Sequence, residues 1–477
     1  MNKEVKVAFV WKFFERIGAQ SVSFILTIIL ARLLTPNDYG VVALITVFIS
    51  LATTFVQAGF NSALIQKREI KDVDYSSCLL VSIFIAAGLF MVLFVSAPII
   101  ARFYKNDILI PITRVLSLLL FPGAINSIQI AKLTRELKFK SLFFCSTLST
   151  FTSACVGIFL AWKGAGYWAL VFQQLSSQVF SCMFLLPVSR WRMNLYGGKK
   201  CIKEMLPFGS RILVSNLMVT LFMNFRTLVI GRVYTSEDLG FFNRGKQFPQ
   251  TVMESINGTI QTVILPVYSR KQDDKEALCR MVRKSVRLSN YLVFPLLVGM
   301  SCVSTSMVRL LLTEKWLLCV PFVQYFAVSY MCQPTQIITA QAMRAIGDSK
   351  TPLKIEIGRK AAELVLLLVA TPISIRAIGI SSAMAGIVSL LIAMRANEKI
   401  LSYSIKEQLS DICEPLLYSI VMSVSVLSVG GCFSGDLLKL LVQVLVGGCT
   451  YLLVSIVCKS KCLQDLHAAL KLSNRDK

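Results

Sequence analysis

The sequence predicts an all-α integral membrane protein with fourteen transmembrane helices, arranged as two six-helix lobes plus a terminal helix pair. Three observations support this prediction: a low content of charge, apolar runs that recur along the whole chain, and an internal repeat. Of the 477 residues, 55% are apolar and only 16% are charged, and the mean hydropathy is +0.66. Soluble domains carry about 25% charged residues. The composition therefore excludes an ordinary soluble protein.

The apolar runs give the number of predicted spans. Each is long enough to cross a hydrocarbon layer of about 30 Å, and only short charged segments separate one run from the next. The polar linkers of a multidomain soluble chain are absent from the sequence. The fourteen predicted spans run roughly over residues 9–31, 41–62, 76–101, 111–131, 141–162, 166–188, 207–231, 240–266, 288–312, 318–342, 352–375, 377–394, 415–434 and 436–458.

The basic residues predict the orientation of these spans. The formal net charge is +24, and membrane proteins concentrate Lys and Arg in their cytoplasmic loops. With the N-terminus inside, 32 Lys and Arg fall in the predicted cytoplasmic segments and 7 fall on the opposite face. We therefore expect a multi-pass protein with both termini in the cytoplasm. The positive charge then indicates membrane topology and not a nucleic-acid partner.

The cysteines do not form a recognisable motif. The sequence has 14 of them, nearly all single residues inside apolar runs, where cysteine behaves as a small apolar side chain. Cys458, Cys462 and His467 lie near one another in a basic tail, but a fourth metal ligand is missing. We predict no disulfide framework, no metal site and no cofactor.

An internal repeat relates the two halves of the chain. Residues 30–40 (LARLLTPNDYG) correspond to residues 230–240 (IGRVYTSEDLG), and residues 122–132 correspond to residues 334–344. Spans 1–2 thus resemble spans 7–8, and span 4 resembles span 10. We predict an N-terminal six-helix lobe over 1–203, a C-terminal six-helix lobe over 204–408, a terminal helix pair over 409–458 and a cytoplasmic tail over 459–477. Asp38 and Asp238 are expected to cap spans 2 and 8.

A polar stripe on span 8 predicts where a substrate binds. Six polar residues at spacings of 4, 3, 4, 3 and 4 share one helical face, and span 2 carries a similar face. Such stripes either bond one helix to another or line a water-filled cavity, and the length of this stripe favours a cavity. The residues are Asn243, Gln247, Gln250, Glu254, Asn257 and Gln261 in span 8, with Gln57 and Asn61 at the end of span 2.

Two arginines in span 7 add positive charge to the predicted cavity. Arg211 and Arg226 lie within an apolar segment, with Asn224 close to the second. Charged residues inside spans usually face a cavity or a partner. Arg226 needs an acceptor at depth, either Glu254 or an anionic ligand, and arginine binds phosphate oxygens well. Structural pairing or snorkelling to the membrane interface is the alternative for each arginine.

Several functional classes lack the sequence features that they need. A G-x-x-x-x-G-K-[S/T] motif is absent, so the chain does not carry its own ATPase site. The extracytoplasmic loops are short and carry few carboxylates. A membrane glycosyltransferase or polymerase would need a catalytic loop, and Asp38 and Asp238 are the residues that such an enzyme could use. We therefore do not expect an enzyme.

The sequence ARLLTPNDYGV at residues 31–41, after the first span, resembles a family motif. Together with fourteen spans in a 6 + 6 + 2 plan, it is similar to the Wzx-type polysaccharide flippases, the O-antigen and colanic-acid exporters of the MOP superfamily, which includes the MATE transporters. The resemblance implies transport of an undecaprenyl-diphosphate-linked oligosaccharide across the bacterial inner membrane by alternating access. It also implies ion coupling, by H⁺ or Na⁺, in some members, and association with a polysaccharide polymerase or export machinery.

Two alternatives to the flippase remain open. An ion-coupled multidrug exporter of the same superfamily would need an acidic cavity for cationic drugs, and Glu254 is a feature in its favour. A membrane glycosyltransferase or polymerase is the other alternative. The excess of basic over acidic residues in the spans favours a flippase for an anionic substrate over a cationic-drug exporter.

Overall fold

The computed structural model describes residues 22–57, 60–66, 70–189, 199–348, 350–431, 433, 435–460 and 462–463. These residues form α-helices joined by short turns, with two 3₁₀ segments at Ser117–Leu119 and Glu314–Cys319. The helices are α1 (Val22–Leu33), α2 (Pro36–Gln57), α3 (Phe60–Gln66), α4 (Asp72–Tyr104), α5 (Leu109–Leu116), α6 (Leu120–Arg135), α7 (Phe139–Trp162), α8 (Tyr167–Ser189), α9 (Lys199–Val233), α10 (Ser236–Ser269), α11 (Lys275–Leu312), α12 (Val320–Met331), α13 (Gln333–Ala345), α14 (Lys350–Ala370), α15 (Ile375–Leu401), α16 (Ile405–Gly430) and α17 (Asp436–Val457).

The all-helical membrane fold is confirmed. Within the described residues, 11 helical segments are long and apolar enough to cross a membrane. Three predicted spans fall outside that group. The first is described only from residue 22, whereas α10 and α14 are long but carry many polar and charged residues along their length. The prediction of fourteen spans is consistent with this arrangement. The cytoplasmic position of the two termini stays a prediction, because the terminal segments lie largely outside the described residues.

The repeat is visible in the starts of α2 and α10, which lie 200 residues apart. Thr35 and Asp38 form a reciprocal cap: the Thr35 backbone N–H donates to the Asp38 carboxylate at 2.9 Å, and the Asp38 N–H donates to the Thr35 hydroxyl at 3.3 Å. Thr235 and Asp238 form the same pair of bonds at 3.3 and 3.1 Å. Each pair satisfies two backbone donors at a helix start. The predicted capping role of both aspartates is confirmed.

The two repeated motifs also contact each other. A Cβ atom added to Gly40 would lie 1.6 Å from the carbonyl oxygen of Ser236, and one added to Gly240 would lie 2.0 Å from the carbonyl oxygen of Pro36. Each glycine therefore faces the first residue of the other helix. Small residues allow two helix backbones to approach this closely, so glycine is required at both positions of this crossing.

The two spans that carry the second repeated segment, predicted spans 4 and 10, are each broken at the same position of the repeat. Predicted span 4 consists of α5, the 3₁₀ segment Ser117–Leu119 and α6, and predicted span 10 consists of the 3₁₀ segment Glu314–Cys319, α12 and α13. The junction after Leu119 and the junction after Met331 are 212 residues apart, which is the offset of the sequence match. The repeat therefore conserves both the spans and the position at which this span is broken.

The chain divides into two compact units, residues 1–240 and 241–477. In the first, a buried cluster joins α3, α4 and α6 through Leu64, Cys78 and Ile128, and a smaller one joins α6, α7 and α8. In the second, α10, α11, α13, α15 and α16 share a core that includes Val286 and Ile338. The lobe boundaries drawn from the sequence stay a prediction.

The terminal helices α16 and α17 pack against α11 within the second unit. The Tyr451 hydroxyl donates to the carbonyl oxygen of Tyr291 at 2.8 Å. Near the start of α16, Asp411 accepts from Arg283 at 3.1 Å and from Arg287 at 2.8 Å. Because the Asp411 side chain is only 7% exposed, this ion pair fixes the start of α16 to α11.

Candidate functional site: the polar faces of the two units

In the first unit, predicted site residues lie on α2, α3 and α9. The hydroxyl groups of Thr54 in α2 and Thr220 in α9 lie 3.3 Å apart and join these helices through polar side chains. Asn224 donates from its amide nitrogen to the carbonyl oxygen of Thr220 at 2.9 Å. That bond occupies the amide nitrogen of Asn224 within its own helix. The amide oxygen is then the atom that could accept a hydrogen bond from a ligand hydroxyl.

The two predicted arginines of α9 differ in exposure. Arg211 is exposed, whereas Arg226 is half-buried. Fifteen residues separate them, so their Cα atoms lie about 22 Å apart along the helix. The two charges therefore occupy different depths of the predicted span.

Two predicted site residues lie at or just after the end of α2, close in sequence to a chain segment outside the described residues. Gln57 is the last residue of α2 and is exposed. Asn61 lies in the short helix α3 and is half-buried. Its side-chain oxygen is enclosed and accepts no hydrogen bond from the described part of the chain. A buried amide oxygen needs a hydrogen-bond donor, because an unsatisfied buried acceptor costs about 1–3 kcal/mol.

In the second unit, the residues of the predicted polar stripe lie along α10, and several of them form hydrogen bonds. Gln250 donates to the Glu254 carboxylate at 2.7 Å. One turn further along, Asn257 donates to the side-chain oxygen of Gln333 in α13 at 2.9 Å. Asn243, Gln247, Gln250 and Asn257 are half-buried, and Glu254 and Gln261 are exposed. One member of the stripe thus bonds to a neighbouring helix, and the cavity lining by the others stays a prediction.

Arg244 is a member of this site that the sequence prediction did not include. Its guanidinium donates to the side-chain oxygen of Gln247 at 2.7 Å and lies 5.2 Å from the centre of the Trp316 ring. Only 4% of Arg244 is exposed. Its position in the sequence could have placed Arg244 on the polar face, because Arg244 lies three residues before Gln247 and next to Asn243. A buried arginine in this position fixes the orientation of the Gln247 amide.

Polar residues of the other spans mostly join helices. Asn126 in α6 donates to the backbone and side-chain oxygens of Gln178 in α8 at 2.9 and 2.7 Å, and Gln336 in α13 donates to the carbonyl of Gly386 in α15. Gln129 is fully buried, and its amide atoms make no hydrogen bond to the described residues. The helix-bonding interpretation therefore holds for Asn126 and Gln336.

The chemistry of the two faces suits a polar or anionic ligand. Amide side chains present both donors and acceptors, which match sugar hydroxyl groups, and the guanidinium groups of α9 can donate to phosphate oxygens. Groups of three or more His, Cys, Asp and Glu side chains that could hold a metal ion do not occur among the described residues. His467, the histidine of the dismissed Cys458–Cys462 site, lies outside them.

Comparison with protein families identifies the chain. A family model described as "Polysaccharide biosynthesis protein" matches residues 29–321, which is well over half of the sequence. The chain belongs to the polysaccharide biosynthesis protein family. The match includes the repeated motifs at the starts of α2 and α10 and both polar faces. The resemblance to the polysaccharide flippases of the MOP superfamily is thereby confirmed at the level of the family.

Named relatives of this polysaccharide biosynthesis protein come from several bacteria. It is 26% identical to the teichuronic acid biosynthesis protein TuaB of Bacillus subtilis (strain 168), over 58% of each chain. It is 21% identical to the succinoglycan biosynthesis transport protein ExoT of Rhizobium meliloti (strain 1021), over 67% of this chain and 65% of that one. It is 24% identical to the lipopolysaccharide biosynthesis protein WzxC of Escherichia coli (strain K12), over 63% and 61%. The chain thus spans about three fifths to two thirds of these relatives.

Solved structures confirm a fold of the MATE and MOP type. The lipid II flippase MurJ in an inward closed conformation superposes with a TM-score of 0.71 and 16% identity, over 95% of this chain and 99% of MurJ. An inward-facing multidrug resistance MATE family transporter of the MOP superfamily gives 0.61 and 15%, over 81% and 96%. At these identities the similarity concerns the fold. Like these structures, this family member is an all-helical multi-pass membrane protein.

Proposed function

We propose that this protein moves an undecaprenyl-diphosphate-linked oligosaccharide from the cytoplasmic to the periplasmic leaflet of the bacterial inner membrane, by alternating access. The observation that carries the proposal is the amide-rich, arginine-containing pair of polar faces on α9 and α10 in a polysaccharide biosynthesis protein. The substrate has a polar sugar part, an anionic diphosphate and an apolar tail. Polar faces of this kind supply partners for the first two parts.

In the proposed mechanism, each face has a separate task. Arg211 and Arg226 donate to the diphosphate oxygens at successive depths of α9, and the amides of Gln247, Gln250 and Asn257 exchange hydrogen bonds with sugar hydroxyls. Because amides donate and accept equally well, the second face tolerates different sugars. The driving force is an H⁺ or Na⁺ gradient, and a polysaccharide polymerase or export machinery takes up the product.

The test is a flipping assay in liposomes. The protein is reconstituted with a fluorescent undecaprenyl-diphosphate oligosaccharide, and we expect protein-dependent change in the fraction accessible to an external lectin or glycosidase. Arg226→Ala should lower the initial rate about 10- to 100-fold, because a charge-assisted hydrogen bond contributes about 1.5–3 kcal/mol. Arg376→Ala is the control, since Arg376 is an exposed arginine outside both faces.

A multidrug exporter is the second candidate, supported by the MATE-type fold and the exposed carboxylate of Glu254. Arg226→Glu distinguishes the two, because it should abolish flipping of an anionic lipid and leave or increase efflux of a cationic dye. Absence of flipping with several oligosaccharides under imposed H⁺ and Na⁺ gradients, together with dye efflux that needs Glu254, would replace the flippase proposal with the exporter.

A further inference from the structure

Two buried glutamines occupy the same position in the two copies of the internal repeat. Gln129 in α6 and Gln341 in α13 are 212 residues apart, which is the offset that relates residues 122–132 to residues 334–344. Gln129 is fully buried, and only 5% of Gln341 is exposed. Neither glutamine belongs to the polar faces of α9 and α10, so the mechanism proposed above does not use them.

Both glutamines carry enclosed polar atoms that lack a hydrogen bond. The amide nitrogen and oxygen of Gln129 make no hydrogen bond to the described part of the chain, and the amide oxygen of Gln341 accepts none from it. The penalty for an unsatisfied buried polar group corresponds to about 5- to 150-fold in an equilibrium constant. A packing defect would not be expected at the same place in both copies of a repeat. The repeated penalty therefore indicates a role for the two amides.

The neighbours of Gln129 on its face of α6 contact α8. Residues three and four apart share one face of a helix, so Gln129 lies between Asn126 and Leu133 on that face. Asn126 donates to the backbone and side-chain oxygens of Gln178 in α8 at 2.9 and 2.7 Å, and Leu133 belongs to a buried cluster with Leu185 of α8. The unpaired amide of Gln129 therefore lies along the contact between α6 and α8.

Gln341 lies in a comparable helix contact of the second unit. Ile338 and Ala345, three residues before it and four after it, belong to the buried core that joins α13 to α10, α11, α15 and α16. On the same helix, the amide nitrogen of Gln336 donates to the carbonyl oxygen of Gly386 in α15 at 3.3 Å. As in α6, one buried amide of the helix is bonded to a neighbouring helix and another has an unpaired atom.

Both helices begin directly after a break in their span. α6 follows the 3₁₀ segment Ser117–Leu119, and α13 follows the end of α12 at Met331. Hinge movements occur at a few loop or element-terminal residues. A helix that begins at such a break can shift against its neighbours while the preceding segment stays in place, and this shift changes the surroundings of its buried amide.

We propose that Gln129 and Gln341 are switch residues of the transport cycle. In the state that the structure shows, their amides are buried and unpaired. In a second state, reached when α6 and α13 shift against their neighbours, each amide bonds to a hydroxyl group that comes from the sugar or from water. The unpaired amides raise the free energy of the first state and keep the two states close in population. The inference rests on the proposed function, because alternating access supplies the second state.

The experiment uses Gln129→Met in the full chain. Methionine has about the length of glutamine and no amide, so it removes the penalty of the first state. We expect the melting midpoint in detergent to rise by about 2–4 °C and hydrogen exchange of the α6 backbone to slow about 5- to 150-fold. Flipping in liposomes should slow at least about fivefold, because the second state is visited less often. Gln341→Met is a second variant and should act in the same way through α13.

Each helix provides a matched control. Asn126→Leu removes a buried amide from the same face of α6, but that amide is bonded to Gln178. It should therefore lower the midpoint and speed the exchange of α6, which is the opposite of the result expected for Gln129→Met. Gln336→Leu is the corresponding control in α13, since it removes the bond to Gly386.

Further arms separate the possible outcomes. Added oligosaccharide should speed the exchange of α6 in the unmodified protein if the sugar supplies the hydroxyl group, and should leave it unchanged if water does; either result supports the switch. A lower midpoint for Gln129→Met would show that the amide is already satisfied in the first state and would overturn the inference. A higher midpoint with unchanged exchange and flipping would also overturn it.

The two proposals fail in different ways. If the unmodified protein flips no oligosaccharide while Gln129→Met changes the midpoint and the exchange as expected, the proposed function alone is refuted. If the unmodified protein flips its substrate and Gln129→Met has the same midpoint, exchange and flipping rate, this inference alone is refuted.

Discussion

The crossing of α2 and α10 gives a prediction with a clear magnitude. In Gly40→Ala, the new methyl group would lie 1.6 Å from the Ser236 carbonyl oxygen, so the two backbones must separate by about 1.8 Å to reach an ordinary contact of 3.4 Å. Because the obstacle is backbone, we place the cost at the upper end of the usual range for overpacking, about 3 kcal/mol. The higher helix propensity of alanine offsets about 1 kcal/mol.

The net loss of about 2 kcal/mol should lower the thermal unfolding midpoint in detergent by roughly 2–4 °C. Gly88→Ala is the matched control, since it makes the same change inside α4 with nothing within 4 Å of the new methyl group, and its midpoint should stay the same or rise. Adding Gly240→Ala to Gly40→Ala should cost less than the sum, because one separation relieves both contacts. Equal midpoints for Gly40→Ala and Gly88→Ala would refute the argument.

Three further predictions concern carboxylates. Asp38→Ala and Asp238→Ala should each lower stability by about 1 kcal/mol and leave flipping intact, as melting and flipping assays can check; loss of activity with unchanged stability would instead indicate catalysis. Asp411→Asn should cost about 2 kcal/mol, because the half-buried Arg287 loses its carboxylate partner and Arg283 keeps only Glu407, and a melting curve measures this loss. Hydrogen bonds from Thr351 hold the pKa of Asp348 below its usual range. The stability that Asp348 contributes is therefore complete above the ordinary aspartate pKa and decreases as pH falls through the lowered one; unchanged acid unfolding of Asp348→Asn would contradict this.

Much of the fold could be predicted because the signals are local. Helix length and apolarity are read from about 20 consecutive residues, and a cap depends on residues three apart, such as Thr35 and Asp38. The repeat was visible because both copies kept the same short motif. The all-helical membrane class, the capped starts of α2 and α10 and the family resemblance therefore followed from the sequence.

The candidate site could be predicted only in part. The spacing of Gln250, Glu254 and Asn257 placed them on one face of a helix, and the structure keeps them there. The same pattern does not say which member bonds to a neighbouring helix, and the bond of Asn257 to Gln333 joins residues 76 positions apart. The predicted site omitted Arg244 because a charged residue in a predicted span gives the same sequence pattern whether its side chain is buried or snorkels to the membrane interface.

The sequence by itself determined the composition, periodicity and capping that make this chain a polytopic helical membrane protein with an internal repeat. The tertiary structure alone decided which helices are neighbours. It placed Gly40 against Ser236 and joined Asp411 to Arg283 across 128 residues. The physical reason is that local rules fix what each segment becomes, whereas contacts between distant segments depend on how whole helices pack, and no short stretch of sequence contains that information.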